Sequence, residues 1–179
     1  MNISKFFQYI SCTILFILLF NLITSGEPAS DLKIGKPAPN FYLKTLNNED
    51  VFLSNLCGKK KLKYPVLISF WATYCKPCKK EFPIFSKISD KYTEKGLKIF
   101  LINVREPKER VETFIKENNI TVPVLLDTYA KIAEKYNSHK SVPNLFLIDK
   151  NGIIVQIYNG GITEKEEEDL TNKIEELLE

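Results

Sequence analysis

The sequence is poor in several residue types that metal and cofactor sites use. Its 179 residues include one histidine, one tryptophan, one methionine and four cysteines. A metal site needs more ligands than a single cysteine pair supplies, and neither a second close cysteine pair nor a histidine pair occurs. We therefore expect no metal and no other cofactor. The single histidine, His139, lies in the polar loop 137–140, and we expect it to be solvated.

The chain also has little net charge. Twenty-five lysines and arginines against 22 aspartates and glutamates give +3, and these charges are too evenly spread to indicate a nucleic-acid partner. Hydrophobic residues make up 44% and charged residues 26%, a globular balance without a disordered tract or an internal repeat. The length allows one domain with a substantial core plus an appendage.

A long apolar run occurs at the N-terminus. Lys5 precedes the largely apolar residues 6–23, which is the pattern of an export signal and nearly the length needed to span a bilayer. No clear small-residue cleavage site follows, so we favour an uncleaved membrane anchor but leave a cleaved signal peptide open. We assign this segment to residues 1–26, a linker to 27–33 and a folded domain outside the cytoplasm to 34–179.

Three cysteines follow this segment: Cys57, Cys75 and Cys78. Stable disulfides are ordinary outside the cytoplasm, but one close pair plus one single cysteine is not a structural framework. The pattern fits an active pair, Cys75 and Cys78, with Cys57 as a small apolar residue near a strand end.

The active pair follows the apolar run 65–71, which is typical of a strand buried on both faces. A helix is expected from about Cys75 to about Lys95, with a kink at Pro83. If Cys75 caps this helix, the backbone N–H groups and the helix dipole stabilise its thiolate. Further strands are expected at 41–43, 51–53, 97–103, 124–126, 144–148 and 153–158, and helices at 107–118, 129–136 and from Thr163. This order predicts a mixed sheet with helices on both faces.

Two segments carry a family resemblance. Residues 71–83, Trp-Ala-Thr-Tyr-Cys-Lys-Pro-Cys-Lys-Lys-Glu-Phe-Pro, and residues 141–149, Ser-Val-Pro-Asn-Leu-Phe-Leu-Ile-Asp, resemble thioredoxin-fold proteins. The closest match is the TlpA/ResA-like branch of membrane-anchored, extracytoplasmic thiol–disulfide oxidoreductases, and it covers roughly residues 34–179. The resemblance implies an α/β, thioredoxin-like fold: a central mixed sheet flanked by helices on both faces, with an N-terminal β extension and an inserted strand and helix.

The resemblance also implies an activity. The chain would exchange electrons with cysteine-containing proteins through a redox-active Cys75–Cys78 disulfide. It would act as a reductant, with cytochrome c maturation as one such role and a membrane thiol reductase as electron donor. Cys75 would be the nucleophile, its thiolate held by the helix dipole and Lys76, and Cys78 the resolving thiol. Pro77 between them fixes φ at the helix start.

Three further positions belong to the expected site. Pro143, preceded by Val142, matches the family's cis-proline, which faces the cysteines and leaves a backbone edge free for an extended substrate; we expect Pro123 to be trans. Trp71 is expected to pack beside the active loop, as well as in the core.

Glu81 lies one helical turn after Cys78. In the family it matches a glutamate that handles protons near the cysteines, whereas an exposed first-turn carboxylate is an equally good interpretation. Ser69 stands where thioredoxins have a buried aspartate, which makes Glu81 the more plausible base.

Two other functions use related sequences. A peroxiredoxin-like peroxidase shares the Gly-x-x-Ala-Pro-x-Phe opening but has a threonine three residues before its reactive cysteine, where this chain has Ala72. A Sco-like copper-binding module needs a longer cysteine spacing and a well-placed histidine, for which His139 is the sole candidate.

Overall fold

The computed structural model describes residues 32–58 and 63–179. The predicted signal or anchor, residues 1–26, and residues 27–31 of the predicted linker lie outside these ranges. Within them, no helix combines the length and apolar character needed to cross a membrane.

The described residues form a seven-stranded mixed sheet with the order β2-β1-β5-β4-β3-β6-β7. Strands β3, β4 and β5 are parallel, and β1, β2, β6 and β7 pair antiparallel to their neighbours. This confirms the predicted sheet type. The strands are β1 (Tyr42–Thr45), β2 (Asp50–Phe52), β3 (Val66–Trp71), β4 (Lys98–Val104), β5 (Val124–Asp127), β6 (Asn144–Ile148) and β7 (Ile154–Asn159).

Helices cover both faces of the sheet, as predicted. They are α1 (Leu53–Leu56), α2 (Lys76–Tyr92), α3 (Lys108–Glu117), α4 (Lys131–Lys135) and α5 (Glu164–Leu178). Helices α2, α3 and α5 contribute buried residues to one core cluster, and α1 and α4 contribute to the other. Leu53, which we predicted as the end of a strand, instead begins α1.

Strand β3 carries the active segment, and all six of its residues are buried. Leu67 and Trp71 face the core cluster of α2, α3 and α5. The alternate residues Val66, Ile68 and Phe70 face the other cluster. Because both faces are covered by helices, the strand needs mostly apolar side chains, and five of its six residues are apolar, with Ser69 as the exception.

Both edges of the sheet are short or partly covered. At one edge lies β2, three residues long, in the hairpin that forms the predicted N-terminal β extension. At the other edge, residues 35–38 pair with the start of β7. Gly35 N–H donates to Ile154 O (2.8 Å), Ile154 N–H to Lys36 O (2.9 Å) and Ala38 N–H to Gly152 O (2.8 Å).

The last helix begins where the sequence predicts. Thr163 caps α5: its hydroxyl accepts the Glu166 N–H at 3.3 Å, and the Glu166 carboxylate accepts the Thr163 N–H at 2.8 Å. This reciprocal arrangement is the predicted capping box. The chain just before α5, residues 160–163, lines a cleft together with the N-terminal part of α2.

Candidate active site

Cys75 and Cys78 form a disulfide at the N-terminus of α2, directly after β3. Cys75 is the N-cap of this helix, with an extended backbone (φ −78°, ψ 104°). Its sulfur accepts the backbone N–H of Cys78 at 3.2 Å. The same N–H group and the positive end of the helix dipole are therefore placed to stabilise a thiolate at Cys75 once the pair is reduced.

The two sulfurs differ in their access to solvent. Cys75 is 6% exposed and Cys78 is 1% exposed. Both belong to the core cluster that also contains Trp71, whose ring packs edge-to-face against Phe82 with 5.2 Å between centroids. Both cysteines are thus buried, and Cys75 is the slightly more exposed residue of the pair.

The Val142–Pro143 peptide bond is cis, as predicted, and it faces the disulfide. Among the described bonds it is the one cis peptide, so Val122–Pro123 is trans as expected. The Val142 carbonyl oxygen lies 3.6 Å from the sulfur of Cys75. The Pro143 carbonyl accepts the Gly160 N–H at 2.9 Å, which joins this loop to the end of β7.

A groove of about 380 Å³ opens beside Cys75, between the start of α2 and the loop 138–142. We call it the basic groove because Lys76, Arg105 and Lys140 line it. His139 lines it as well, and its Nδ1 is buried without a hydrogen-bond partner among the described residues. The expectation of a solvated His139 therefore holds only in part, because the residue is half-buried and its Nδ1 is shielded from solvent.

Glu81 lies on the other side of Pro77 and is only 3% exposed. Its Oε1 accepts the N–H of Ile162 at 3.0 Å, while Oε2 is buried with no hydrogen-bond partner within the described part of the chain. Burial raises the pKa of this carboxyl to about 7, an effect that the Ile162 hydrogen bond partly offsets. Of the two interpretations of Glu81, the exposed carboxylate is thus wrong.

A buried glutamate that sequence reasoning missed holds the loop before Cys75. Glu106 is 4% exposed. It accepts the Thr73 N–H at 2.7 Å, the Thr73 hydroxyl at 2.6 Å and the Asn103 amide at 2.8 Å. Arg110 Nε lies 3.1 Å from it. A polar residue just after a buried parallel strand was the available signal, since such residues lie at the edge where sites form.

Cys57 is distant from this chemistry. It is 1% exposed, forms no disulfide, and its sulfur lies 3.6 Å from the Leu53 carbonyl. Burial, together with the charge of Asp149, raises the pKa of its thiol to about 11. These facts confirm that it is a small buried residue, and they keep its thiol protonated and unreactive at neutral pH.

A Cys-x-x-Cys disulfide at a helix N-terminus, facing a cis-proline on this sheet, defines a thioredoxin-fold thiol–disulfide oxidoreductase. The family model described as AhpC/TSA matches residues 34–157. The chain is 34% identical over 156 residues to the thiol-disulfide oxidoreductase ResA of Bacillus subtilis, covering 87% of this chain and 83% of that protein. The ResA of Geobacillus kaustophilus is 36% identical over 133 residues, covering 74% and 73%. The chain therefore belongs to the AhpC/TSA family and to the ResA-like thiol–disulfide oxidoreductases.

Solved structures agree with this assignment. StoA from Bacillus subtilis superposes with a TM-score of 0.61 at 28% identity, covering 75% of this chain and 96% of that one. The thioredoxin domain of a thiol-disulfide oxidoreductase from Bacteroides vulgatus gives 0.66 at 25% identity, covering 83% and 100%. The chain is thus an oxidoreductase whose substrates are cysteine-containing proteins.

Proposed function

We propose that Cys75 is the nucleophile of this oxidoreductase and that Cys78 is the resolving thiol. One observation carries the assignment. The Cys75 sulfur caps α2 and accepts the Cys78 N–H at 3.2 Å, and it is the more exposed sulfur of the pair. A sulfur in this position forms a stabilised thiolate, and the thiolate is the reactive species. The exposed Lys76, next in the chain, adds positive charge to the same end of the helix.

In the reducing direction the reaction has two steps. The Cys75 thiolate attacks one sulfur of a substrate disulfide, that bond breaks, and one substrate cysteine leaves as a thiolate that takes up a proton. Cys78 then loses its proton and attacks the Cys75 sulfur of the mixed disulfide. The second substrate thiolate leaves, and the Cys75–Cys78 bond forms. Two electrons pass from the pair to the substrate.

Glu81 is the base that we assign to Cys78. The Cys78 thiol is 1% exposed, so water has poor access to its proton. Glu81 lies one helical turn further along α2, and its pKa of about 7 suits proton transfer near neutral pH. Ser69 has no titrating side chain, so it does not offer this chemistry at the buried strand position.

We assign substrate binding to the surface around the disulfide. Val142 and Pro143 present backbone next to the Cys75 sulfur, where an extended substrate segment would lie. Pro77 separates the basic groove from the Glu81 side, and it lines both. Trp71 packs on the buried side of the active loop, in the core cluster that contains both cysteines.

We further propose that the protein acts outside the cytoplasm as a reductant, held at the membrane by residues 1–26. A membrane thiol reductase would recharge it, and cysteines awaiting haem attachment in cytochrome c maturation would be among its targets. The support is the charged and apolar N-terminal sequence together with the similarity to ResA proteins. The reduction potential of the pair, measured in glutathione or dithiothreitol buffers, tests the direction. A potential close to that of strong oxidants, about −120 mV, would contradict a reductant.

Trapping tests the two cysteine roles. Cys78→Ser should accumulate mixed disulfides with partner proteins, since nothing resolves them, and Cys75→Ser should form none and should lose exchange. Cys57→Ala is the control and should behave as the wild type. Trapping by Cys75→Ser but not by Cys78→Ser would reverse the assignment.

The two other candidate functions find less support. Ala72, at the position of the peroxidase threonine, is 1% exposed and carries no hydroxyl. Across residues 32–58 and 63–179, no three His, Cys, Asp or Glu side chains gather as metal ligands. A copper titration giving tight one-to-one binding that His139→Ala abolishes would favour the copper module.

A further inference from the structure

The basic groove has an unbalanced charge. Lys76, Arg105 and Lys140 line it, and none of the described residues that line it carries a carboxylate. Across the described ranges, none of these three cations lies within 4.0 Å of a carboxylate oxygen. Glu106, which follows Arg105 in the chain, already accepts hydrogen bonds from Thr73 and Asn103 and forms an ion pair with Arg110. A binding site with one sign of charge attracts ligands of the opposite sign.

The backbone of Arg105 has a defined conformation at the edge of this groove. Its φ of 62° lies in the left-handed region, which is uncommon for a long side chain and occurs most often at functional sites. The residue directly follows β4, and its N–H donates to the Asp127 carbonyl of β5 at 3.2 Å. The two neighbouring strands therefore fix where the Arg105 backbone leaves the sheet, and its side chain lines the groove that contains Cys75.

The rest of the groove suits a polypeptide better than a small anion. Tyr74, next to Cys75, is 68% exposed and lines the groove. Pro77, Val104 and Val142 add apolar surface. Exposed aromatic residues beside apolar and cationic side chains are typical of protein interfaces. The volume of about 380 Å³ is at the small end for binding pockets, large enough for a short stretch of chain.

We propose that the basic groove selects substrate polypeptides that carry an acidic residue close to their reactive cysteine, with Arg105 and Lys140 binding its carboxylate. The inference rests on the proposed exchange at Cys75, because the groove adjoins that sulfur. Lys76 has a double role, since it faces both this groove and the Glu81 side.

The test compares disulfide-bonded peptides that differ at one position. Three peptides of equal length carry Glu, Gln or Lys next to the cysteine, and the reduced protein is mixed with each at low and at high salt. The Glu peptide should react fastest and the Lys peptide slowest, by about two- to five-fold per step, the factor that an exposed ion pair supports. The difference should shrink at high salt because exposed charges are screened.

Variants assign the effect to the groove. Arg105→Gln and Lys140→Gln should each bring the Glu-to-Lys rate ratio closer to one. Lys87→Gln removes an exposed charge of α2 that lines neither the basic groove nor the cleft beside Glu81, and it should leave the ratio unchanged. Equal rates for the three peptides, or a ratio insensitive to both groove variants, would overturn the proposal while leaving exchange at Cys75 intact. If the proposed role of Cys75 fails instead, Cys75→Ser will still form mixed disulfides with these peptides.

The reaction rate of the reduced protein with glutathione disulfide, a small anionic substrate, is measured beside those of the peptides. Glutathione disulfide should react more slowly than the Glu peptide, because it offers less surface to Tyr74 and the apolar lining. A faster reaction, lost in Arg105→Gln, would assign the groove to small anionic thiols and overturn the polypeptide proposal.

Discussion

The Glu81 carboxylate accepts a hydrogen bond from the backbone N–H of Ile162 at 3.0 Å, so the active helix is joined to the chain just before α5. Gly161, the residue before Ile162, has a φ of 112°, a backbone conformation that favours glycine. A Cβ there would make only ordinary contacts, 3.8–3.9 Å from Pro77, Glu81 and Pro143, so the backbone angle rather than space selects glycine. One carboxylate oxygen of Glu81 is buried with a single partner, and the other has no hydrogen-bond partner among the described residues. Two pH-dependent properties follow.

The first is stability. Burial raises the Glu81 pKa from an ordinary 4.5 to about 7. The folded state therefore binds more protons than the unfolded state between these values, and stability falls as pH rises through that window. The full difference corresponds to about 3 kcal/mol, an upper estimate. Glu81→Gln removes the titration, so urea unfolding of the oxidised protein at pH 5 and pH 8.5 should show a smaller loss of stability in the variant.

The exposed Glu94 provides the control for this comparison. Glu94→Gln should keep the wild-type dependence on pH. An equally steep fall between pH 5 and pH 8.5 in Glu81→Gln would show that another group causes it.

The second is the resolving step. When Cys75 carries a chromophoric thiol as a mixed disulfide, release of that thiol reports the attack by Cys78. In the wild type the rate should rise through about pH 7, as Glu81 becomes a base. Glu81→Gln should be slower by about 10²-fold, the lower range for general base catalysis, and should lose this inflection. Glu81→Asp, which keeps a carboxylate, should recover part of the rate; an unchanged profile in Glu81→Gln would remove Glu81 from the mechanism.

The cysteines should differ sharply in alkylation. In the reduced, folded protein at pH 7.5, Cys75 should react with iodoacetamide first, because it is a helix N-cap. Cys57, with its pKa raised to about 11, should stay unmodified until the chain unfolds. Mass spectrometry of peptides after timed quenching gives the order. A Cys75 rate no higher than that of the unfolded chain would contradict the stabilised thiolate.

Glu106 should matter for stability and for the active loop. Glu106→Ala leaves the buried donors of Thr73 and Asn103 without their acceptor, at a cost of about 2–4 kcal/mol. Thermal unfolding measures it, with the exposed Glu109→Gln as control. Thr73→Ser keeps both donors and should be close to the wild type. A shift of less than 0.5 kcal/mol (roughly the noise of a surface change) in Glu106→Ala would mean that the network is dispensable.

Much of this arrangement was predictable from local sequence. The largely apolar run 65–71 predicted β3, and the cysteine spacing predicted the start of α2. Thr163 with Glu166 predicted the start of α5. Each of these patterns depends on neighbours a few residues away, so the physical cause lies within the pattern itself. The cis bond at Pro143 was predictable only through the family resemblance.

Other features depend on contacts between distant segments. Glu81 is buried by residues 160–162, some 80 positions away, and nothing in its own helix requires this. Glu106 receives both of its shortest hydrogen bonds from Thr73, 33 positions earlier. His139 reaches the groove because its loop packs on the active segment. Polar residues of this kind are placed by tertiary structure, which no local periodicity encodes.

The two edges of the sheet determine how readily the protein can associate with other chains through strand pairing. An unpaired edge strand exposes backbone groups that can pair with a strand of another chain. Here one edge is the three-residue strand β2, and the start of the other edge strand, β7, is paired with residues 35–38. Edge-to-edge pairing with another chain is therefore restricted to the short strand β2 and to the part of β7 beyond Ile154.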